Sequence, residues 1–396
     1  MKKFARIASL IMALAMVLTC FVGCTADKEG GATPGEDGLV ELKLGCIGPL
    51  TGDYANYGTS VQNGVNLAIE EINAAGGVNG FKLTIDFQDS QGDPDSATAA
   101  YGKLMDDGMK ISLGTVLSGE MTAVSAAAIA DEILLLSPSA SAKDAITGND
   151  SAFRVCFNDP QQGTVSADYI ADNKLATKVA VFYQSDLDYS NGLYENFKAQ
   201  CAKRGIEIVE TTTFTKSTNT DFSTQINAIK ASGAELVFIP IYAAEASTFL
   251  TQAYGKLTDI PLFGCDGLDG ILTKVSDTKY AENVMMLTPF SADDTTENVK
   301  KFVDSYKKNF NATPDQFAAD GYDAVYAVVE ALKKAEITPD NFEDDDFNSK
   351  MVAAMTQITV KGVTGTMTWT ADGETNKAAK AMIIHDGVAS LYTSEK

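Results

Sequence analysis

Serine hydroxyls, tyrosines and one aspartate recur in this chain at one kind of place, just after a short apolar run and at the start of a helical pattern. Tyr57 follows the run Glu41 to Ile47. Ser118 and Gly119 follow Met109 to Val116, and Ser137-Pro-Ser-Ala-Ser141 follows Ile133 to Leu136. Farther on stand Tyr189, Tyr242 and the Asp266 of Gly-Cys-Asp-Gly. Hydroxyls and free backbone N–H groups at a helix N-terminus make a cradle for a carboxylate. An aspartate beside tyrosine hydroxyls can hold an ammonium, and the tyrosine faces leave an apolar wall for a side chain. Together these groups suit the common part of a free α-amino acid. Each charge-assisted bond contributes about 1.5–3 kcal/mol, and burying either ligand charge unpaired would cost more.

Other chemistries are poorly supplied. No Gly-x-Ser-x-Gly elbow occurs, and neither a Gly-x4-Gly-Lys-Ser/Thr nor a Gly-x-Gly-x-x-Gly phosphate loop. The single histidine, His385, ends the apolar run Ala-Met-Ile-Ile-His and has no neighbours with which to make a zinc site. No metal or other cofactor is expected. A hydrolase acting through two carboxylates is the rival from another class, but one tryptophan in 396 residues is few for stacking sugars. The charge balance is 53 acids against 31 bases, net −22, which repels nucleic acid and anionic lipid alike. Membrane contact therefore needs an anchor.

The N-terminus offers one. Lys2, Lys3 and Arg6 precede a mostly apolar stretch from Ile7 to Val22, the pattern of a secretory leader. It ends Phe21-Val22-Gly23-Cys24, which resembles the lipobox of bacterial lipoproteins and points to lipid on Cys24. Residues 24–40 are acidic, Gly-rich and poor in apolar groups, and read as a flexible tether. The four later cysteines, Cys46, Cys156, Cys201 and Cys265, are widely spaced and expected to be buried thiols.

Apolar strand patterns alternate with amphipathic helix patterns in units of about 30 residues, which implies parallel strands with right-handed crossovers. The first stretch runs to about residue 140 and the rhythm restarts at Lys178. From residue 294 to 358 the pattern is helical, and strands return near the end. The expected class is α/β with two lobes of similar rhythm. In such sheets ligands sit beyond the carboxyl ends of the strands, where the hydroxyls and Asp266 fall.

The stretch IGPLTGDYANYGTSVQNGVNLAIEEINAAGGVNG resembles the opening of the branched-chain amino-acid binding proteins of ABC transporters. The likeness continues through SPSAS, FRVCFNDPQQG, DYSNGLYENF, TDFSTQINAIKASGAELVFIPIY, CDGLDG and FAADGYDAVY, over roughly residues 41–390. It implies a type I periplasmic-binding fold: two Rossmann-like lobes joined by three crossing segments near Phe157–Pro160, Thr288–Ser291 and Thr364–Trp369. The lobes would comprise residues 41–158 plus 290–365 and 159–289 plus 366–396. By the resemblance, Ser118, the backbone of Ser139 and Ala140, and the Ser141 hydroxyl bind the ligand carboxylate. Asp266 takes the ammonium, and Tyr57, Tyr189 and Tyr242 surround the ligand. Glu120, just past the cradle, is expected either as a solvent-facing first-turn acid or as a contact to a polar ligand side chain. The implied protein is a monomeric, lipid-tethered receptor that hands a small amino acid to permease subunits, performs no bond chemistry and binds no nucleic acid. A sensing module on the same fold is the alternative.

Overall fold

The computed structural model describes residues 34, 35 and 37–392. The leader, Cys24 and most of the tether lie outside the described residues.

The first half of the chain forms β1 (Val40–Gly48), α1 (Ala55–Ala74), β2 (Phe81–Asp89), α2 (Pro94–Asp106), β3 (Ile111–Thr115), α3 (Ser118–Ala127), β4 (Leu135–Ser137) and β5 (Ala152–Arg154). Local chemistry sets the boundaries. Gly76 and Gly77 follow α1 with φ of 99° and 76°, which side-chain-bearing residues rarely adopt. Asp93 starts α2 by accepting the Ser96 N–H at 2.9 Å, with Pro94 in the first turn where its missing N–H costs nothing. The five strands are all parallel, in the order β2-β1-β3-β4-β5.

The chain then enters α4 (Asp159–Asp172), β6 (Lys178–Gln184), α5 (Asp188–Arg204), β7 (Glu207–Phe214), α6 (Ser223–Ala231), β8 (Leu236–Phe238), α7 (Ala243–Ala253), β9 (Leu262–Gly264) and β10 (Met285–Thr288). Strands β6 to β10 are parallel in the order β7-β6-β8-β9-β10. This is the winding of the first sheet over again, although no sequence repeat announces it. Helices α8 (Glu297–Phe310), α9 (Gln316–Lys334) and α10 (Phe347–Met355) follow, then the short hairpin β11 (Val360–Lys361) and β12 (Thr366–Met367). The chain closes by adding β13 (Lys380–His385) and β14 (Val388–Leu391), both antiparallel, to the β10 edge of the second sheet. The two-lobed α/β architecture is the one the sequence pattern implied.

Helix α9 packs along α1 of the first lobe at very short range. A Cβ on Gly64 would lie 1.9 Å from the Ala318 carbonyl oxygen, and one on Gly321 would lie 2.7 Å from that of Val61. Glycine on both helices is what permits this approach, and it brings Phe317 to the ends of the strands. Residues after β12 still hold to the first sheet: Trp369 Nε1 donates to the Arg154 carbonyl at 2.7 Å, and the Gly373 carbonyl accepts the Arg154 N–H at 3.0 Å. Among the described residues no helix is long and apolar enough to cross a membrane. The four described cysteines are buried and free.

Candidate functional site

Each doubly wound sheet has one place where the strand order reverses, between β1 and β3 in the first and between β6 and β8 in the second. Loops leaving these strands on the carboxyl side diverge and open a crevice. Tyr57 and Ser118 come from the first pair of strand ends, Tyr189 and Tyr242 from the second. Ser139–Ser141 follow β4 and Asp266 follows β9, the next strands along. The two crevices face each other. One small cavity is lined by Tyr57, Val116, Leu117, Ser139, Ser141, Tyr189, Tyr242, Asp266, Gly267 and Phe317, drawn from both lobes. Ser118 and Ala140 stand just behind that lining.

The hydroxyls differ in what they have left to offer. Ser118 Oγ accepts the Ala142 N–H at 3.1 Å, so its own proton remains for a ligand. Ser139 Oγ spends its proton on the Val116 carbonyl at 2.7 Å. Ser137 Oγ bonds both the Thr115 carbonyl at 2.7 Å and the Ala140 N–H at 2.9 Å, tying the loop to β3. Beneath lies fully buried Arg154. Its guanidinium donates to the carbonyls of Ala140 at 2.8 Å, Ala142 at 2.9 Å and Lys143 at 3.4 Å, and ion-pairs Glu374 at 3.3 Å. It therefore fixes the loop without facing the cavity.

On the other lobe, Tyr189 Oη donates to Asp266 Oδ1 at 2.7 Å and accepts the Gly267 N–H at 2.9 Å. Its ring stacks on Tyr242 with centroids 4.5 Å apart. Tyr57 does something the resemblance did not imply. Its hydroxyl crosses between the lobes, donating to the Gly267 carbonyl at 2.6 Å and accepting the Ala243 N–H at 2.7 Å. Tyr54 bonds Glu245 across the same gap at 2.9 Å. The cavity that remains is about 10 Å³, room for one water. An amino acid enters only when the lobes part.

A second acid, which the sequence reading missed, belongs to this region. Asp159 is fully buried at the start of α4, and its N–H donates to the Ser141 carbonyl at 2.9 Å. Neither of its carboxylate oxygens has a hydrogen-bond partner among the described residues, although the Ser141 hydroxyl is near enough to favour the charged form. Burial, then the charge of Asp266, holds its carboxyl well above the usual range. Burial likewise pushes Asp266 up to about 6, against the hydrogen bonds from Tyr189 and Gln162. Glu120 is buried rather than solvent-facing. It accepts the Ser90 hydroxyl at 2.6 Å, joins two loops of the first lobe, and is raised by burial to about 7. At the base of α9, burial lifts Asp320 to about 7 even with Lys377 3.4 Å away.

These shifts have one sign. Each acid binds its proton more tightly folded than unfolded, so folding takes up protons between pH 4 and 7. The stabilisation is complete below the unfolded values near 4 and is lost as pH rises through 6 and 7. The melting temperature of the protein alone should therefore be higher at pH about 5.5 than at pH about 8. An unchanged or lower value at the acid end would contradict the buried placement of these carboxyls.

Residues 41–387 match the profile of the periplasmic binding proteins. The chain belongs to that family. Among its relatives, Leu/Ile/Val-binding protein homolog 3 of Brucella melitensis is 31% identical over 308 residues, 76% of this chain and 81% of that one. The Leu-, Ile-, Val-, Thr- and Ala-binding protein of Pseudomonas aeruginosa is 27% identical over 74% of this chain and 78% of its own length. In structure, the substrate-binding protein LivJ of the Streptococcus pneumoniae branched-chain amino acid transporter, solved with isoleucine, matches with a TM-score of 0.80. It is 28% identical over 89% of this chain and 99% of that one. A Rhodopseudomonas palustris solute-binding protein solved with benzoate shares the fold with a TM-score of 0.79 at 21% identity, covering 89% of this chain and 95% of that one. Members of this family are solute-binding proteins, so the cleft between the lobes is the place to look for a ligand.

Within the family frame, Tyr57, Ser139, Ser141, Tyr189, Tyr242 and Asp266 meet at the cavity, with Ser118 and Ala140 one layer back. Phe317, Leu117 and Asp159 were not legible as site residues. The sequence placed Asp159 only within the crossing segment Phe157–Pro160 and Phe317 only within a helical stretch, and gave Leu117 no role. The signal for Asp159 was the segment FRVCFNDPQQG, which also carries Arg154.

Proposed function

We propose that this chain is an extracytoplasmic substrate-binding protein that captures a small amino acid, branched-chain or related, between its lobes and delivers it to the permease subunits of an ABC transporter. In this reading the Ser118 and Ser141 hydroxyls and the backbone N–H of Ser139 receive the carboxylate, joined by that of Ala140 if it is released from Ser137 Oγ when the lobes part. Asp266 receives the ammonium from the opposite lobe, with Asp159 beside it. Tyr189, Tyr242 and Phe317 form the wall for the side chain. The lobes divide as residues 41–158 plus 290–365 and 159–289 plus 366–396, except that the stretch from Trp369 to Gly373 is bonded to the first sheet. Residues 1–23 direct export, lipid on Cys24 holds the monomer at the membrane, and residues 24–40 give it reach. No bond is made or broken; capture and closure are the mechanism.

The observation that carries the reading is polarity across one cavity: hydroxyl and N–H donors on one lobe, a buried uncompensated carboxylate on the other. A zwitterion matches both ends, while an anion alone would leave Asp266 facing nothing of opposite charge. Isothermal titration of the mature chain carrying Cys24→Ser against the standard amino acids and their 2-hydroxy analogues tests it. Binding is expected for an aliphatic amino acid, with at least a tenfold loss when hydroxyl replaces ammonium. Equal affinity for the two series, or heat from none of the amino acids, would overturn the assignment.

A further inference from the structure

Behind the turn that carries Asp266 lies a second cavity, larger than the first. Its volume is about 350 Å³, within the range of ordinary small-molecule sites. The two cavities stand back to back. The Asp269 N–H bonds the Asp266 carbonyl at 2.8 Å, so one tight turn puts Asp266 in the cleft and Asp269 in the rear cavity. On the other side of the same wall, Phe317 lines the cleft while Asp315, two residues earlier, lines the rear cavity.

The lining has a definite chemistry. Met286, Phe290, Pro314, Ile384 and their neighbours make a mostly apolar wall. The charged residues among the lining are Asp269 and Asp315, with no lysine, arginine or histidine. Both carboxylates are held in place by N–H and hydroxyl donors, with no cationic side chain among the lining. Asp269 accepts the N–H groups of Gly270 at 2.9 Å and Gln316 at 2.8 Å. Asp315 caps α9 by accepting the Ala318 N–H at 2.9 Å and accepts the Ser60 hydroxyl at 2.7 Å. Burial, then the charge of Asp315, holds Asp269 above the usual carboxylate range. Beside them, the side-chain amide of Asn56 is buried with neither atom bonded among the described residues. Its nitrogen lies 3.7 Å, and Asp315 Oδ2 3.5 Å, from where a Cβ on Gly270 would stand.

We propose that this rear cavity is a second ligand site, for a small organic ammonium with an apolar body. Two fixed carboxylates with no base among the lining select a cation and reject an anion. The apolar wall selects a carbon skeleton over a bare metal ion, and among the described residues no group of His, Cys, Asp and Glu is spaced to hold a metal. Asp315 belongs to a helix packed on the first lobe, whereas Asp269 follows a strand of the second. A cation between them touches both lobes and favours the arrangement in which the two acids are close.

The test uses n-hexylammonium chloride as probe and 1-hexanol and hexanoate as controls of the same shape, with no amino acid present, so it does not depend on what the front cleft binds. Methionine methyl resonances report the location, because Met286 and Met382 line the rear cavity. Hexylammonium is expected to shift those two methyls below about 10 mM, with each control at least tenfold weaker. Asp269→Asn and Asp315→Asn keep the shape, the second also keeps its bond from the Ala318 N–H while the first gives up one of its two backbone bonds, and each should weaken the amine at least tenfold. Equal binding of amine and alcohol, shifts confined to other methionines, affinity unchanged in both variants, or no response at about 10 mM would each overturn the proposal. The wild-type comparison of amine with alcohol decides it even if a variant fails to fold.

Discussion

Replacing Asp266 by alanine should reduce amino-acid affinity by at least two orders of magnitude while leaving the protein folded. Asp266 is 2% exposed and is held by Tyr189 at 2.7 Å. A ligand ammonium buried against it loses its water and gains this carboxylate in exchange. Removing one partner of such a buried pair costs about 3–5 kcal/mol, because the charge left behind has nothing to face. That is about a hundredfold or more in dissociation constant. The fold should tolerate the change well, since an acid raised to about 6 by burial contributes no stability at neutral pH. Titration calorimetry on Asp266→Ala, paired with its melting curve, separates the two effects. An affinity within threefold of wild type would show that the ammonium lies elsewhere, with Asp159 the next residue to change.

The largest stability effect is expected at Arg154, which faces no ligand. Its guanidinium donates to three loop carbonyls, those of Ala140, Ala142 and Lys143, and among the described residues is the one bonded partner of the first. Ion pairs in protein interiors can often be exchanged for apolar groups at little cost. This one is different, because backbone carbonyls cannot be exchanged along with the arginine. Arg154→Met would fill the space but leave the Ala140 carbonyl unpaired and take the charged donor from those of Ala142 and Lys143, which keep the Ala145 N–H and the Thr147 hydroxyl. Hydrogen bonds from a charged donor contribute about 1.5–3 kcal/mol each, so a loss of at least about 3 kcal/mol is expected even if the longest of the three bonds, at 3.4 Å, contributes nothing. Urea unfolding should show a lower midpoint with an unchanged slope. A midpoint within error of wild type would mean the loop holds itself, through Ser137 and Ser118.

The sequence carried the lobes well and the cleft in part, and the difference has a physical cause. Strand and helix patterns are local, so the alternation from Glu41 to Leu136 and again from Lys178 showed where the two sheets would lie. Side chains at strand ends were legible for the same reason: Tyr57, Ser141 and Asp266 each follow a readable apolar run. Phe317 gave no such signal. It reaches the cleft only because Gly64 and Gly321 let two helices far apart in sequence come within backbone contact. Asp159 was hidden differently. A helix start welcomes an acid for its own reasons, so only its burial without a bonded partner marks it out. Glu120 was hidden by the same habit; a first-turn acid was expected to face water or a polar ligand group and instead bonds buried Ser90. The rear cavity left no trace in the sequence, because its two acids stand 46 positions apart and meet only in the closed molecule.

The Tyr57 bridge has a consequence for fidelity. It is made entirely of protein groups, so it promotes shutting whether or not cargo is aboard. The acids Asp159 and Asp266 act the other way, because shutting without cargo buries both carboxyls and makes their charged forms costly until a cation arrives between them. The contest between one tyrosine and two acids therefore sets the rate of false alarms, the fraction of idle receptors that present themselves as loaded.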